Sequence, residues 1–319
     1  MRCRPRFTVS ACLLAATLTL AACSGNASTP ASLPTEPNPT STAVGAASPP
    51  PSGVVQRDVT YCDAGGIPLK MDLYFPTAAA DSRARPVAMY VHGGGFVSGD
   101  KGGGAGAADI PELVRRGYVV ASVNYRLAPQ YPFPAAIEDV KCAVRFLRAS
   151  ASTYGVDPER IGAWGGSAGG SLVSLLGVTD ATAGLEGNGG YLDQSSRVEA
   201  VVDMFGPSDL TSSVARSQLK SYLGSGAEAG TNARAASPRT WVSPDDPPFL
   251  ILQGDKDNVV PPAQSQILYN ALRAAGVEAS LVMVENAGHG FRPSGGPISP
   301  TRQELTKMMA DFFDSHLGK

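Results

Sequence analysis

Largely apolar runs, rather than alternating ones, dominate the middle of the chain. Val87 to Val91, Val119 to Asn124, Val198 to Met204 and Phe249 to Gln253 are of this kind, and a strand reads this way when helices cover both of its faces. Stretches with helical spacing lie between them: Ile110 to Arg116, Ala135 to Ala149, the run after residue 167, Ala263 to Ala275 and Leu305 to Leu317. Ile161 to Trp164 and Ser280 to Val284 add two more strands. Ahead of all these, Val55 to Tyr61 and Leu69 to Phe75 are joined through Ala64-Gly65-Gly66 and predict a hairpin. Strands alternating with helices after an opening hairpin predict an α/β fold, with a mostly parallel sheet of about eight strands. Ligands of such sheets sit at the carboxyl ends of the strands.

The first residues follow another pattern. Arg2, Arg4 and Arg6 precede the apolar stretch Phe7 to Ala22, which is short for a membrane span and has the form of a secretory leader. The stretch ends in Leu20-Ala21-Ala22-Cys23, which resembles the lipobox of bacterial lipoproteins. That resemblance implies a signal peptide over residues 1–22, lipidation of Cys23, and an exported protein held at the membrane. Residues 24–53 are almost entirely Ser, Thr, Pro, Ala, Gly and Asn, a mix that buries too little apolar area to fold. Residues 23–53 therefore read as a lipidated cysteine and an extended tether, and residues 54–319 as the folded domain.

The formal charge of −2 over 319 residues provides no basic field for nucleic acid. Removing the leader takes three arginines away and leaves 23 basic against 28 acidic residues. Of five cysteines, Cys62 and Cys142 remain in the folded domain. Cys62 lies on an early strand and Cys142 on a helix expected to pack elsewhere, so two separate buried thiols are expected.

Candidate chemistry gathers on Gly165-Gly166-Ser167-Ala168-Gly169, between the strand and helix just described. A turn tight enough to lift a serine hydroxyl clear of a sheet brings the positions two residues to either side together, and glycines at 165 and 169 make room. A serine hydroxyl needs a base, and the base an orienting acid. The chain has three histidines. His289 follows the last strand, in the kind of loop that carries reacting groups, and is the expected base. His92 is expected to fix its loop through backbone hydrogen bonds, and His316 to lie on solvated helix surface. The loop after the strand ending at Gln253 offers Asp255 and Asp257 as the acid. Gly93-Gly94-Gly95, after a buried strand, permits the close backbone approach an oxyanion requires, with Gly94, Gly95 and Ala168 as the expected amide donors. Such a centre needs neither metal nor cofactor.

His92 to Phe96, Asn124-Tyr125-Arg126-Leu127-Ala128-Pro129, Gly165 to Gly169, Phe205-Gly206-Pro207-Ser208-Asp209-Leu210, Ser243 to Pro248, Gly254 to Pro261 and Gly288-His289-Gly290-Phe291 occur in this order. Together they resemble an α/β-hydrolase, specifically the bacterial carboxylesterases related to feruloyl and acetyl-xylan esterases and to the hormone-sensitive-lipase group. The resemblance implies hydrolysis of carboxylic esters with Ser167 as nucleophile, His289 as base, Asp257 rather than Asp255 as acid, and Gly94, Gly95 and Ala168 at the oxyanion. The substrate it implies is a small-molecule, acyl-sugar or lipid ester. A helical cap ahead of the first strand, as in hormone-sensitive-lipase relatives, gives way here to the tether, and the acid loop ends Asn258-Val259-Val260-Pro261. That ending is closer to the feruloyl-esterase-like and prolyl-oligopeptidase-like patterns, of which the former is expected here, with residues 184–196 and 211–245 as the expected cover. Peptide or amide hydrolysis on the same scaffold, and a tethered binding protein without chemistry, are the alternative readings.

Overall fold

The apolar runs become strands β1 (Val55–Asp63), β2 (Pro68–Tyr74), β3 (Arg85–Val91), β4 (Val119–Val123), β5 (Val156–Gly166), β6 (Ala200–Met204), β7 (Phe249–Gly254) and β8 (Ala279–Val284). They form one sheet in the order β1-β2-β4-β3-β5-β6-β7-β8. The opening hairpin is antiparallel as expected. β2 runs antiparallel to both of its neighbours, and the pairs from β4 to β8 are all parallel. This is a computed structural model, and it describes residues 53–77 and 83–318. All of them belong to one unit, Gly45–Lys319. The leader, Cys23 and the tether up to residue 52 lie outside the described residues.

Nine helices are present among the described residues: α1 (Ile110–Arg115), α2 (Ala135–Ala149), α3 (Ala151–Tyr154), α4 (Ala168–Gly177), α5 (Ser213–Gln218), α6 (Lys220–Leu223), α7 (Gly226–Ala235), α8 (Ala263–Ala274) and α9 (Arg302–Leu317). They divide the core in two. On one face of the sheet Val140, Leu147, Leu172, Leu176 and Leu268 from α2, α4 and α8 pack over Met89, Ile161 and Val201. On the other, Leu113 of α1 and Leu305, Met309 and Phe313 of α9 pack over Ala88, Tyr90 and Val202. Being covered on both sides, β4, β6 and β7 are buried at every position, which is why their sequences lack alternation. The edge strand β8 is buried only at its two ends.

One expectation fails. Cys62 and Cys142, 80 positions apart in sequence, are joined in a disulfide, with their Cα atoms 6.4 Å apart. The reason is where α2 lies: it packs on β1 as well as on β5, so the middle of the helix comes over the end of the first strand. The segment 184–196 closes over the bridge, with the Asp63 amide donating to the Gly189 carbonyl at 3.4 Å. It is held there by Glu186, which accepts from Lys141 (2.8 Å) and pairs with Arg145.

Candidate active site

The site begins at the junction of β5 and α4. Ser167 has φ 58° and ψ −121°, a left-handed backbone that costs a residue with a side chain about 1–3 kcal/mol. Its surroundings enforce that conformation. The Ser167 amide donates to the Met204 carbonyl at 2.9 Å, and the flanking glycines pack backbone against backbone. A Cβ at Gly165 would come within 2.6 Å of the Gly169 backbone and 2.7 Å of the Val91 carbonyl oxygen, and one at Gly169 would strike that same oxygen.

Two loops bring the other groups. His289 opens a single 3₁₀ turn, His289–Phe291, beyond β8, and Asp257 lies in the loop after β7. His289 Nδ1 is 2.8 Å from Asp257 Oδ2, and Nε2 is 3.0 Å from Ser167 Oγ. A carboxylate only accepts, so Nδ1 carries the proton and Nε2 is left to accept from the serine hydroxyl. The Asp257 side chain is fully buried, which works against its charge. Hydrogen bonds from His289 and from the amides of Val260 and Val259 (2.9 Å each) outweigh this and hold the carboxyl below its ordinary range. Asp255 is elsewhere. It accepts the Ala287 amide at 3.2 Å and so ties the acid loop to the histidine loop.

The glycine triplet follows β3. Gly94 (φ 125°) and Gly95 (φ 62°) both need left-handed backbone, and a Cβ at Gly94 would collide with the Ser98 carbonyl. The Gly94 carbonyl accepts from Val97 and Ser98, each at 3.1 Å, which curls the loop. The amides of Gly94, Gly95 and Ala168 have no acceptor among the described residues. His92 lies beneath, 1% exposed, its Nδ1 2.8 Å from the Gly93 carbonyl and its ring stacked on Tyr125 at 4.3 Å. Burial lowers its pKa. His316 is more covered than expected, half-buried against Phe312 and 3.5 Å from Glu278.

Two cavities meet at Ser167. One, of about 450 Å³, is mainly apolar, with Phe96, Leu210, Leu219 and Val260 in its walls, and reaches Ala168. The other, of about 760 Å³, runs along the glycine triplet to Asp100, Gly104 and Arg292 and includes His289. Of the two segments expected as cover, only 211–245 contributes, through Ala215, Gln218 and Leu219 of α5 and its end. Segment 184–196 lines neither cavity, because it is occupied over the disulfide.

Some residues of the site were not anticipated. Tyr125 donates its hydroxyl to the His92 carbonyl (2.9 Å), and Asn124 holds Asp100 and the Lys101 amide (2.9 and 2.6 Å). Phe205 stands edge-on to His289, ring centroids 4.9 Å apart. All three follow directly after a buried strand, and that position was the available signal.

Residues 71–272 match the BD-FAE family. The chain belongs to the BD-FAE family. The chain is similar to Esterase LipQ of Mycobacterium tuberculosis, 32% identical over 249 residues, which is 73% of this chain and 56% of LipQ. The chain spans about half the length of the curated relatives it matches. Among solved structures, a truncated carbohydrate esterase from gut microbiota superposes with a TM-score of 0.72 at 30% identity, over 85% of this chain and all of that one. Propionate-bound esterase Est2 of Thermogutta terrifontis superposes with a TM-score of 0.69 at 26% identity, over 84% and 95% of the two chains. The α/β-hydrolase architecture expected for this BD-FAE chain is that of these esterases.

Proposed function

We propose that the chain is a serine carboxylesterase working through an acyl-enzyme. The observation that carries this reading is the unbroken line Ser167 Oγ, His289, Asp257 at 3.0 and 2.8 Å, beside three amides with no acceptor among the described residues. His289 Nε2 takes the hydroxyl proton as Oγ bonds to the ester carbonyl carbon, and the carbonyl oxygen becomes an anion held by the amides of Gly94, Gly95 and Ala168. Collapse breaks the bond to the alcohol, which leaves with the proton from His289. A water, deprotonated by the same nitrogen, then attacks the acyl-serine; the bond from Oγ to the acyl carbon breaks, the acid leaves, and His289 returns the proton to Ser167 Oγ.

The cavities divide the ester between them. The smaller, more apolar one suits an acyl chain of short to medium length, and the larger, where Asp100, His289 and Arg292 stand among apolar walls, the alcohol, which a sugar would fill. Propionate bound to the Thermogutta esterase supports a short acyl group, and the carbohydrate esterase supports a sugar alcohol. Ser167→Ala is expected to lower kcat/KM for a short p-nitrophenyl ester about 10⁴- to 10⁶-fold with an unchanged circular dichroism spectrum. Within an acyl series from acetyl to dodecanoyl, rates should peak at or below hexanoyl. Ordinary turnover by folded Ser167→Ala would overturn the reading.

We also infer that the protein is exported and tethered by lipid on Cys23. The Cys62–Cys142 bridge supports this, since disulfides persist in oxidising compartments.

A further inference from the structure

Directly under the elbow lies a carboxylic acid with no part in the reaction above. Asp203, the fourth residue of β6, is 1% exposed. Its Oδ1 accepts the Gly206 amide at 2.8 Å, while Oδ2 has no hydrogen-bond partner among the described residues. The Ser174 hydroxyl of α4 is nearby, and it too lacks a partner in hydrogen-bond geometry. Burial raises the Asp203 pKa to about 6, with the Gly206 amide and the Ser174 hydroxyl acting the other way. No formal charge faces it. α4 has no titratable residue, nor do Ile161–Gly166 of β5 or any position of β7, and along its own loop the next is Asp209, which is engaged with Thr211 and Arg239. A half-satisfied buried carboxyl destabilises a fold, so its presence calls for a gain elsewhere.

That gain is visible in what the turn from 203 to 206 holds. The Met204 carbonyl receives the Ser167 amide at 2.9 Å. Phe205 has φ 46°, strained for an aromatic residue, and its ring forms one wall for His289. Gly206 is pressed onto α4, where a Cβ would come within 2.6 Å of the Ser171 amide nitrogen. One carboxylate oxygen thus closes a turn whose second residue anchors the nucleophile's backbone and whose third supports the imidazole.

Resting on the serine-esterase reading, we propose that Asp203 is a positioning residue: its clamp on the Gly206 amide sets Ser167 and His289 in register for proton transfer. An ionised acceptor holds an amide about twice as firmly as a neutral one, so the clamp slackens when Asp203 protonates. Stability moves the opposite way. A carboxyl whose pKa is raised in the native state binds more protons folded than unfolded between about pH 4 and 6, so protonation favours the fold. Acidification across that window weakens turnover through Asp203 while its contribution to stability improves.

The test compares wild type, Asp203→Ala and Asp203→Asn on p-nitrophenyl acetate from pH 5 to 9, with thermal melts at each pH. Asp203→Ala is expected to lower kcat about 10- to 100-fold with KM within threefold, because alignment rather than binding is lost. Asp203→Asn, which still offers Gly206 an acceptor, should recover most of that loss. Its acid limb should lack the contribution of the Asp203 ionisation and fall less steeply than that of wild type. The Tm of wild type should gain on that of Asp203→Asn as pH drops from 7 to 5. Folded Asp203→Ala with wild-type kcat overturns the proposal, and so does Asp203→Asn with the wild-type acid limb, which decides the matter if the alanine variant does not fold. Labelling of wild type by a fluorophosphonate probe separates the premises. Absence of a Ser167 adduct overturns the esterase reading and the clamp with it, whereas an adduct combined with either null result overturns the clamp alone.

Discussion

At the scale of single residues, the site works by denying groups their usual partners. Ser167 sits in backbone that its own side chain disfavours, and three amides nearby have no acceptor among the described residues. Asp257 is the opposite case, a buried carboxylate saturated by one imidazole and two amides. Its pKa lies below the ordinary value of about 3.9. The stability it contributes is therefore present above that pH and is lost as pH falls through its lower native value. Asp257→Asn keeps the shape but lets His289 settle in the other tautomer, and kcat should fall about 10³- to 10⁴-fold with little change in KM. Steady-state kinetics check this, and acid titration of the folded state should show a shallower loss below pH 4 in the variant. The serine, the histidine and the loop carrying the acid were legible in sequence because each follows an apolar strand. Deciding between Asp255 and Asp257 from the residues alone was not possible, since both precede the same proline; the difference lies in which carboxyl accepts the Ala287 amide and which faces the imidazole.

Among the elements, legibility followed burial. α2 runs over the residues expected for it, Ala135–Ala149, because its apolar face is continuous. α9 begins at Arg302 rather than Leu305, where Thr301 and Glu304 form a reciprocal cap that apolar spacing does not register. β5 begins at Val156, paired with Arg85, ahead of a polar stretch across which the register with β3 shifts before Ile161 meets Val87. α5, α6 and α7 are short, and their sequences were read only as cover. α5 lines the more apolar cavity, and Tyr222 of α6 stacks on Phe96 with ring centroids 3.9 Å apart and planes within 4°. Phe96 directly follows the glycine triplet, and its carbonyl receives the Ala128 amide at 2.9 Å. Tyr222→Ala should cost about 3–5 kcal/mol of stability and free the loop that carries the amide donors, seen as a lower urea midpoint and a kcat reduced about tenfold. Tyr222→Phe keeps the ring and should remain near wild type in both.

Over the whole molecule, the disulfide is the feature that spacing concealed, since its partners belong to different layers and meet only once α2 has crossed the sheet. Closing a loop of this length restricts the unfolded chain by about 4 kcal/mol on the chain-entropy view. Cys142→Ser should accordingly lower the Tm by several degrees, with KM unchanged, because the bridge and the segment over it lie apart from both cavities. The proposed anchor is tested separately: Cys23→Ser should move the protein from the membrane fraction to the soluble one, followed by immunoblot, with esterase activity per molecule retained.

The pairing of β3 with β5 places Val91 opposite Gly165, so the loop with the exposed amides and the turn with the serine depart the sheet as immediate neighbours. A slip of one residue between those strands would carry one group past the other by about 3.3 Å and turn every side chain of the slipped strand to the wrong face. A chain that assembles this sheet in register therefore holds the glycine loop and Ser167 abreast. The helices above the pocket stand outside that ladder, and positions there other than Tyr222 can change without altering its register.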